Sequence, residues 1–353
     1  PPRAMRAPRG AVVGRGVGAL PSWRPRRSAG LLPRPTRVDR SAKGWCAVSD
    51  PFRIEGPACI SFSGGRTSAF MLRKILDAHD GSLPENVHVL FANTGKERVE
   101  TLEFVHECGV RWGVPIHWIE YNGRDVVMPV ARAVIDGIVR LPHMEVTYET
   151  ASRNGEPFAR LISERQYTPN VVTRFCTEIL KIRAMKRWLM ARGYEEWSTT
   201  VGIRADEMRR VTRITSPEAE RGRETVLVPL ARAGITVRHI MDFWQEKRDG
   251  VALDRWLSMP AQNRPGWDLA LRSYEGNCDL CFLKGRKKRE RIMREHPELV
   301  PWWSDQEERV KGTFHAHEPG YAKTLERVHR LPMLPMDLDP DGEDDSIPCT
   351  CTD

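Results

Sequence analysis

The segment from residue 58 to residue 76 constrains the fold more than any other part of this chain. Residues 58–62 form a short apolar run, Ser63, Gly64 and Gly65 follow, and apolar residues then recur at helical spacing. This pattern predicts a strand, a glycine turn and a helix in succession. Such a unit is typical of an α/β protein, in which it forms part of a parallel sheet.

The same alternation continues along the chain. Apolar runs predict further strands at 87–91, 116–120 and 197–203, and helical spacing predicts helices at 97–109 and 178–192. Strands that alternate with helices require crossover connections, which cover both faces of a mostly parallel sheet. We therefore expect a three-layer α/β/α sandwich, with a last strand near 225–230 and a helical, cysteine-containing region after it.

Composition separates the first 47 residues from the rest. Residues 1–43 hold seven Pro, five Gly and eleven Lys and Arg, with no hydrophobic periodicity, so we expect disorder there. One interpretation is in-frame upstream sequence with initiation near Val48, and the other is an Arg-rich transit segment. The expected organisation is a 1–47 extension, a 48–230 nucleotide-binding domain, a 231–336 helical region and a 337–353 acidic tail.

The positive charge lies in that extension. The whole chain has a net charge of +8, and residues 1–43 by themselves carry a net charge of +10. The remainder of the chain therefore has a net charge of −2. The sequence pI is therefore no argument for nucleic-acid binding by the folded part. No window approaches the 18 apolar residues of a membrane span, and we expect a cytoplasmic protein without membrane contact.

The turn after the first predicted strand has the character of an anion site. It lies where ligands bind in open α/β sheets, at the carboxyl edge. Glycines let the backbone approach an anion, and free amides at the helix start hold it. The candidate nucleotide-binding residues of this loop are Ser63, Gly64, Gly65, Arg66, Thr67 and Ser68. An unliganded tight turn is the alternative.

Two arginines and a lysine are further candidates. Arg204 and Arg210 follow the strand at 197–203, and a guanidinium presents a planar fork of donors to phosphate or sulfate. Surface ion pairs with Asp206 or Glu207 are the alternative. Lys181 lies five residues after Cys176 on a predicted helix, where a solvated lysine is the ordinary interpretation.

Cys278 and Cys281 form a CxxC pair, which suits a metal knuckle. Cys176 is a candidate third ligand, and the three cysteines leave an iron–sulfur cluster, structural zinc and no metal all open. Cys59 lies within a predicted strand and Cys108 within a predicted helix, where buried, inert thiols are expected.

Five motifs, taken together, resemble a known family. Residues Ile60-Ser-Phe-Ser-Gly-Gly-Arg-Thr-Ser68 resemble the pyrophosphatase-type (PP) loop of the adenine nucleotide alpha hydrolase-like superfamily, and specifically the phosphoadenosine phosphosulfate (PAPS) reductase family. The other motifs, in the family's order, are Phe91-Ala-Asn-Thr-Gly95 with Glu100-Thr101, Arg174-Phe-Cys176 with Leu180-Lys181, Gly202-Ile-Arg204-Ala-Asp206-Glu207 with Arg210, and Gly276-Asn-Cys278-Asp-Leu-Cys281-Phe-Leu-Lys284-Gly285. The resemblance covers residues 58–294.

The resemblance implies a Rossmann-like fold, an adenine nucleotide at the loop, with Thr94 and Gly95 beside it, and sulfur chemistry. It also implies a [4Fe-4S] cluster on Cys176, Cys278 and Cys281, with Cys349 or Cys351 as a fourth ligand. Lys181, Cys349 and Cys351 are the catalytic candidates, the tail cysteines as thiolates that attack a sulfate sulfur. A thiol electron donor would be the expected partner.

Two departures from the family's pattern concern Mg²⁺. Most ATP-cleaving members carry Asp where this loop has Thr67, and the sulfate-assimilating reductases favour Asp where this chain has Asn93. The loss of two carboxylates near a phosphate weakens the expectation of bound Mg²⁺. Three functions follow as hypotheses: reduction of PAPS or adenosine phosphosulfate (APS), ATP-dependent thiolation of tRNA or DNA by adenylation, and a non-catalytic nucleotide or nucleic-acid binding module. The basic run at 286–289 is a candidate nucleic-acid contact, with a solvated helix face as the alternative.

Overall fold

The computed structural model describes residues 50–123, 143–216 and 222–331, together with the backbone of two short strands at 134–135 and 138–139. The expectations for residues 1–47, for Cys349 and Cys351 and for the acidic tail lie outside these residues. No helix in the described ranges combines the length and the apolar character needed to cross a membrane.

The strands and helices alternate in the predicted order. The strands are β1 (Ala58–Ser61), β2 (Val87–Asn93), β3 (Ile116–Tyr121), β4 (Val134–Ile135), β5 (Ile138–Val139), β6 (His143–Val146), β7 (Trp197–Thr200) and β8 (Glu224–Leu227). The helices are α1 (Arg66–Ala78), α2 (Val99–Trp112), α3 (Glu156–Arg165), the π-helix Cys176–Arg183, α4 (Ala184–Ala191), α5 (Met208–Thr215), α6 (Pro229–Arg232), α7 (Val237–Lys247), α8 (Leu253–Ser258), α9 (Arg286–Glu295), α10 (Val300–Val310) and α11 (Tyr321–Arg330).

The main sheet of the described residues has the order β6-β3-β2-β1-β7-β8. All neighbouring pairs are parallel except β3 and β6. The chain runs outward from β1 through β2 to β3, and later returns to the other side of β1 as β7. The strand order therefore reverses between β1 and β7, and the carboxyl ends of these strands border a crevice of the kind that binds ligands in α/β proteins.

Apolar side chains cover both faces of the sheet. Ile60 and Phe91 belong to the cluster beneath α1, α2 and α7, whereas Cys59 and Leu90, their neighbours along the strands, pack against α4. This alternation is the period of two that a strand imposes. All four residues of β1 are buried, as expected for a central parallel strand. The predicted α/β sandwich is confirmed.

Two elements differ from the sequence expectation. The helix expected at 178–192 begins as a π-helix at Cys176 and becomes α-helical at Ala184. The strand expected at 225–230 ends at Leu227, because Pro229 has no amide hydrogen for the sheet and is suited to the first turn of α6.

The helices after residue 285 enclose an apolar cluster of their own. Phe282, Trp303 and Phe314 are buried in it together with residues of α3 and the π-helix. Cys278 belongs to this cluster, and Cys176 and Cys281 pack against it. The CxxC pair therefore lies between the carboxyl-terminal helices and the sheet domain.

Candidate nucleotide and thiol site

The glycine loop between β1 and α1 depends on glycine at one position for its shape. Gly64 has φ +81°, and a Cβ built there would lie 2.6 Å from Thr101 Cγ2 of α2. Gly65 has φ −93°, and a Cβ there would approach only Ser63 Oγ, at 3.5 Å. Gly64 thus fixes the backbone turn, whereas the space beside Gly65 is open at the start of α1.

The two serines of the loop, Ser63 and Ser68, are hydrogen-bonded to each other. Their hydroxyl oxygens lie 2.9 Å apart, and the Ser63 amide donates to Ser68 Oγ at 3.2 Å. The Ser68 hydroxyl also donates to the Gly65 carbonyl at 3.0 Å. These bonds pre-form the loop at the positive end of α1, where an anion is stabilised by the helix dipole.

The Arg66 side chain is occupied by the protein interior. Its Nε lies 2.9 Å from Asp268 Oδ1, and its Nη2 donates to the carbonyls of Leu269 and Leu271. Arg248 pairs with the same carboxylate. The guanidinium therefore anchors the first turn of α1, and the sequence contained no signal that pointed to Asp268 as its partner.

Arg204 connects the loop to the opposite side of the crevice. It follows β7, and its Nη1 donates to Thr67 Oγ1 at 3.4 Å. Its Nε donates to Asp206 Oδ1 at 3.0 Å, and Glu207 accepts from its backbone amide at 2.9 Å. Arg210 pairs with the other oxygen of Glu207. The structure thus brings together the predicted loop and the predicted arginines, each with the acidic neighbour named as its alternative partner.

The turn after β2 is held by Asn93. Its Oδ1 accepts from the Gly95 amide at 3.0 Å, and its Nδ2 donates to Glu120 Oε1 at 2.6 Å and to the Ser152 carbonyl at 2.8 Å. An aspartate at this position would place a second carboxylate against buried Glu120. This explains why an amide suits this strand end better than an aspartate would.

The CxxC segment is attached to that turn. Glu97 and Cys278 form an isolated antiparallel bridge, and the Asp279 amide donates to the Lys96 carbonyl at 2.8 Å. Gly95 lies against Gly155, whose backbone nitrogen would be 3.1 Å from a Cβ at Gly95. The sequence motif at 91–95 and the cysteine motif at 276–285, far apart in the chain, are neighbours in the fold.

A buried polar cluster surrounds the first thiol. Cys278 Sγ lies 3.3 Å from Thr94 Oγ1 and 3.8 Å from Glu97 Oε1, and Lys181 Nζ is 3.3 Å from the same Glu97 oxygen. Burial, together with the negative charge of Glu97, raises the pKa of the Cys278 thiol well above its ordinary value. Cys278 is therefore held as a neutral thiol in this arrangement.

Lys284 also lies in this buried region. Its Nζ donates to the Glu275 carbonyl at 3.3 Å and to the Gly276 carbonyl. Burial lowers the pKa of its ammonium group, while the cysteines and Asp279 oppose that effect. Sequence reasoning named neither Glu97 nor Lys284 as a site residue, although Lys284 lies within a motif that it quoted and Glu97 lies between the two parts of another.

The three cysteines predicted as metal ligands lie in the same region of the fold. Cys176, Cys278 and Cys281 lie in or against one apolar cluster. Among the residues that the structure describes, however, no group of three or more His, Cys, Asp or Glu is arranged to hold a metal ion. The described residues thus do not by themselves form the ligand set for an iron–sulfur cluster or zinc, and Cys349 and Cys351 lie outside them.

Cys59 and Cys108 are fully buried, as expected for inert thiols. Burial raises the pKa of both thiols above the ordinary value.

Three arginines of the basic helix α9 are paired with glutamates: Arg286 bonds Glu290 at 2.7 Å, Arg289 bonds Glu318 at 2.5 Å and Arg291 bonds Glu295 at 3.0 Å. These pairs favour the interpretation of α9 as an ordinary packed helix.

Comparison with known proteins gives one informative relative. No protein-family model matches the chain. An uncharacterized nin region protein of Escherichia phage lambda, ORF290, is 28% identical over 240 residues, which cover 65% of this chain and 67% of the phage protein. The chain is thus similar to a phage protein over most of its length.

Proposed function

We propose that this chain is an enzyme of the PAPS reductase type. It binds an adenine nucleotide at the loop of residues 63–68 and carries out sulfur chemistry, by reducing a sulfonucleotide or by transferring sulfur. Its nucleotide-binding residues are those of the loop, with Thr94, Gly95, Arg204 and Arg210.

The contact between Arg204 and Thr67 carries this proposal. It joins the loop after β1 to the segment after β7, at the point where the strand order reverses. A nucleotide phosphate in that crevice would meet the first turn of α1 on one side and a guanidinium on the other. Both are suited to anions, the first through the helix dipole and the second through its fork of donors.

The composition of the loop favours a sulfonucleotide over Mg²⁺-ATP. Residues 63–68 contain no carboxylate, and Thr67 stands where most ATP-cleaving members of the resembled family carry Asp. Mg²⁺ in nucleotide sites is bound through one or two carboxylates together with the phosphates. PAPS and APS already carry the activated sulfate, so their reduction requires no metal-assisted cleavage of a triphosphate.

The chemical step requires a thiolate. Because Cys278 is buried and neutral, we assign the nucleophile to Cys349 or Cys351. The thiolate attacks the sulfate sulfur, the sulfur–oxygen bond to the phosphate breaks, and the nucleotide leaves. A second thiol then attacks the cysteine sulfur, a disulfide forms, and sulfite departs with the electron pair. An external thiol donor reduces the disulfide.

Two alternatives remain as proposals. In the first, ATP adenylates a base or the backbone of tRNA or DNA before sulfur is inserted. In the second, the chain binds a nucleotide or nucleic acid without catalysis. Anaerobic purification distinguishes the enzyme from the binding module. Visible absorbance with stoichiometric iron supports redox chemistry on the cysteines, whereas colourless, metal-free protein without sulfite release supports the binding module.

Calorimetry with AMP, APS, PAPS and ATP tests the proposal directly. Arg204→Ala should weaken APS and PAPS by about 1.5–3 kcal/mol, which is more than tenfold, and should weaken AMP less, because a charge-assisted bond to the distal anion is lost. Arg238→Ala is the matched control, since this exposed arginine of α7 pairs with Asp242 of its own helix at 3.8 Å. Equal losses for AMP and PAPS would give Arg204 a structural role, and failure of all four nucleotides to bind would refute the proposal.

A further inference from the structure

Helix α5 is unusual among the helices of this protein because none of its residues is buried. Met208 at its start is 63% exposed. A helix of eight residues without a buried face gains little from packing, and helices this short are marginal by themselves. Its exposed surface is therefore available to a partner.

Four arginines around α5 make no ion pair with any residue that the structure describes. Arg209 and Arg213 on the helix, Arg223 before β8 and Arg232 on α6 are all exposed, and none makes an ion pair within the described part of the chain. Two acidic side chains nearby are already engaged: Glu207 pairs with Arg210, and Glu224 pairs with Lys186 at 2.7 Å. The described residues of this surface consequently include four exposed arginines outside ion pairs, although the chain after residue 43 is nearly neutral.

A groove of about 390 Å³ runs beside these arginines. Met208 and Val211 of α5 form one wall, and Val226 and Arg232 are among the residues of the other. The strand in this groove, β8, is the edge strand of the sheet. Apolar lining with cationic borders suits a ligand that has an anionic backbone and flat, apolar faces.

Helix α9 provides an internal comparison. Its sequence is more basic than that of α5, but Arg286, Arg289 and Arg291 are paired with glutamates. Paired arginines gain less from a phosphate, because the new bond replaces an existing one. Among the described residues of these two helices, Arg209 and Arg213 of α5 are without ion pairs, although the sequence drew attention to α9.

We propose that α5, with the groove beside it, is a docking surface for single-stranded nucleic acid. The helix begins four residues after Arg204, which contacts the loop, so a strand bound along α5 would lead to the nucleotide site. A single strand is favoured over a duplex because its unpaired bases can enter the apolar groove, whereas those of a duplex are stacked inside it. As a route to the loop this surface rests on the proposed nucleotide function, whereas its affinity for nucleic acid does not.

Fluorescence anisotropy with a labelled oligothymidylate of about 16 nucleotides tests the surface. The full chain is titrated from about 50 to 200 mM salt, and the slope of log affinity against log salt is measured. Arg209→Gln/Arg213→Gln should reduce that slope by about 1.4, since each phosphate contact to a single strand contributes about 0.7. Arg286→Gln/Lys287→Gln on α9 removes the same charge and should leave the slope unchanged.

Three outcomes would overturn the proposal. The first is an equal reduction of the salt slope in the two double variants. The second is no binding of oligothymidylate by the wild type at about 50 mM salt. The third is loss of polyglutamate binding in the Arg209/Arg213 variant with oligothymidylate binding intact, which would assign the surface to an acidic protein. Residues 1–43 are identical in all variants, so their charge cancels. Circular dichroism melting checks the fold, and PAPS calorimetry on the Arg209/Arg213 variant should show unchanged affinity, which keeps failure here distinct from failure of the nucleotide site.

Discussion

The ammonium group of Lys96 lies 2.7 Å from Asp279 Oδ2, and both side chains are almost completely buried. Lys96 belongs to the turn after β2 and Asp279 to the CxxC segment. The same carboxylate accepts from Trp303 Nε1 at 2.8 Å, and the lysine stacks on Trp302. This pair fastens the cysteine segment and α10 to the end of the sheet.

Removal of Lys96 should therefore be costly. Lys96→Met leaves Asp279 buried without its counter-ion, and we expect a loss of about 3–5 kcal/mol in the free energy of unfolding, measured with urea. Lys96→Met/Asp279→Asn should recover part of this loss, because the uncompensated charge is gone. Arg73→Gln is the control, since its pair with Asp77 is exposed and is worth about 1 kcal/mol or less. A loss below about 1 kcal/mol in Lys96→Met would contradict the buried pair.

The two loop glycines should respond differently to alanine. Gly64→Ala places a Cβ against Thr101 at positive φ, so we expect a destabilisation of about 1–3 kcal/mol. Gly65→Ala has an ordinary φ and room for a methyl group, and it should keep its stability while losing nucleotide affinity. Urea melts and calorimetry on both variants measure these effects. Nucleotide affinity unchanged in Gly65→Ala would show that the anion does not lie beside this residue.

The charges around Cys278 should set its reactivity in metal-free protein. Glu97→Gln removes a negative charge next to the sulfur and should lower the pKa of Cys278, whereas Lys181→Met removes a positive charge and should raise it. The rate of alkylation of Cys278, followed by mass spectrometry across pH, reports both shifts. An unchanged pKa in both variants would show that burial alone controls the thiol.

Stability should fall in mild acid because of His143. Burial and the charge of Arg187 lower the pKa of its imidazole to about 4. Since the unfolded side chain has a pKa near 6.5, the unfolded state binds more protons between the two values, and stability is lost as the pH falls from about 6.5 to about 4. The loss is on the order of 3 kcal/mol, from about 1.4 kcal/mol per pKa unit.

The variant His143→Leu isolates this contribution. Nδ1 of His143 is buried without a hydrogen-bond partner among the described residues, so leucine sacrifices no bond there. The urea midpoint of the wild type should fall relative to that of His143→Leu as the pH is lowered from 7 to about 4.5, because only the wild type carries the titrating imidazole. A constant difference over that range would mean that His143 titrates normally.

Local pattern was sufficient for the architecture and for the glycine loop. The apolar runs and helical spacing predicted β1, α1, β2 and α2 close to their observed bounds, because burial imposes a period of two on a strand and of 3.6 on a helix. The alternation of strands and helices predicted the parallel sheet, because only crossover connections join parallel neighbours. The end of β8 could also have been predicted from the sequence, because Pro229 cannot donate a hydrogen bond to the sheet.

The partners of the charged residues were decided by the tertiary structure. Nothing near Arg66 in the sequence points to Asp268, and nothing near Lys96 points to Asp279, since each pair forms only when distant segments meet in the interior. The difference between α5 and α9 is partly local: Arg286 and Arg291 pair with glutamates one turn further along α9, whereas only the fold brings Glu318 beside Arg289. Hydrophobic periodicity is a local property of the chain, whereas the pairing of buried or neighbouring charges depends on which segments the completed sheet brings together.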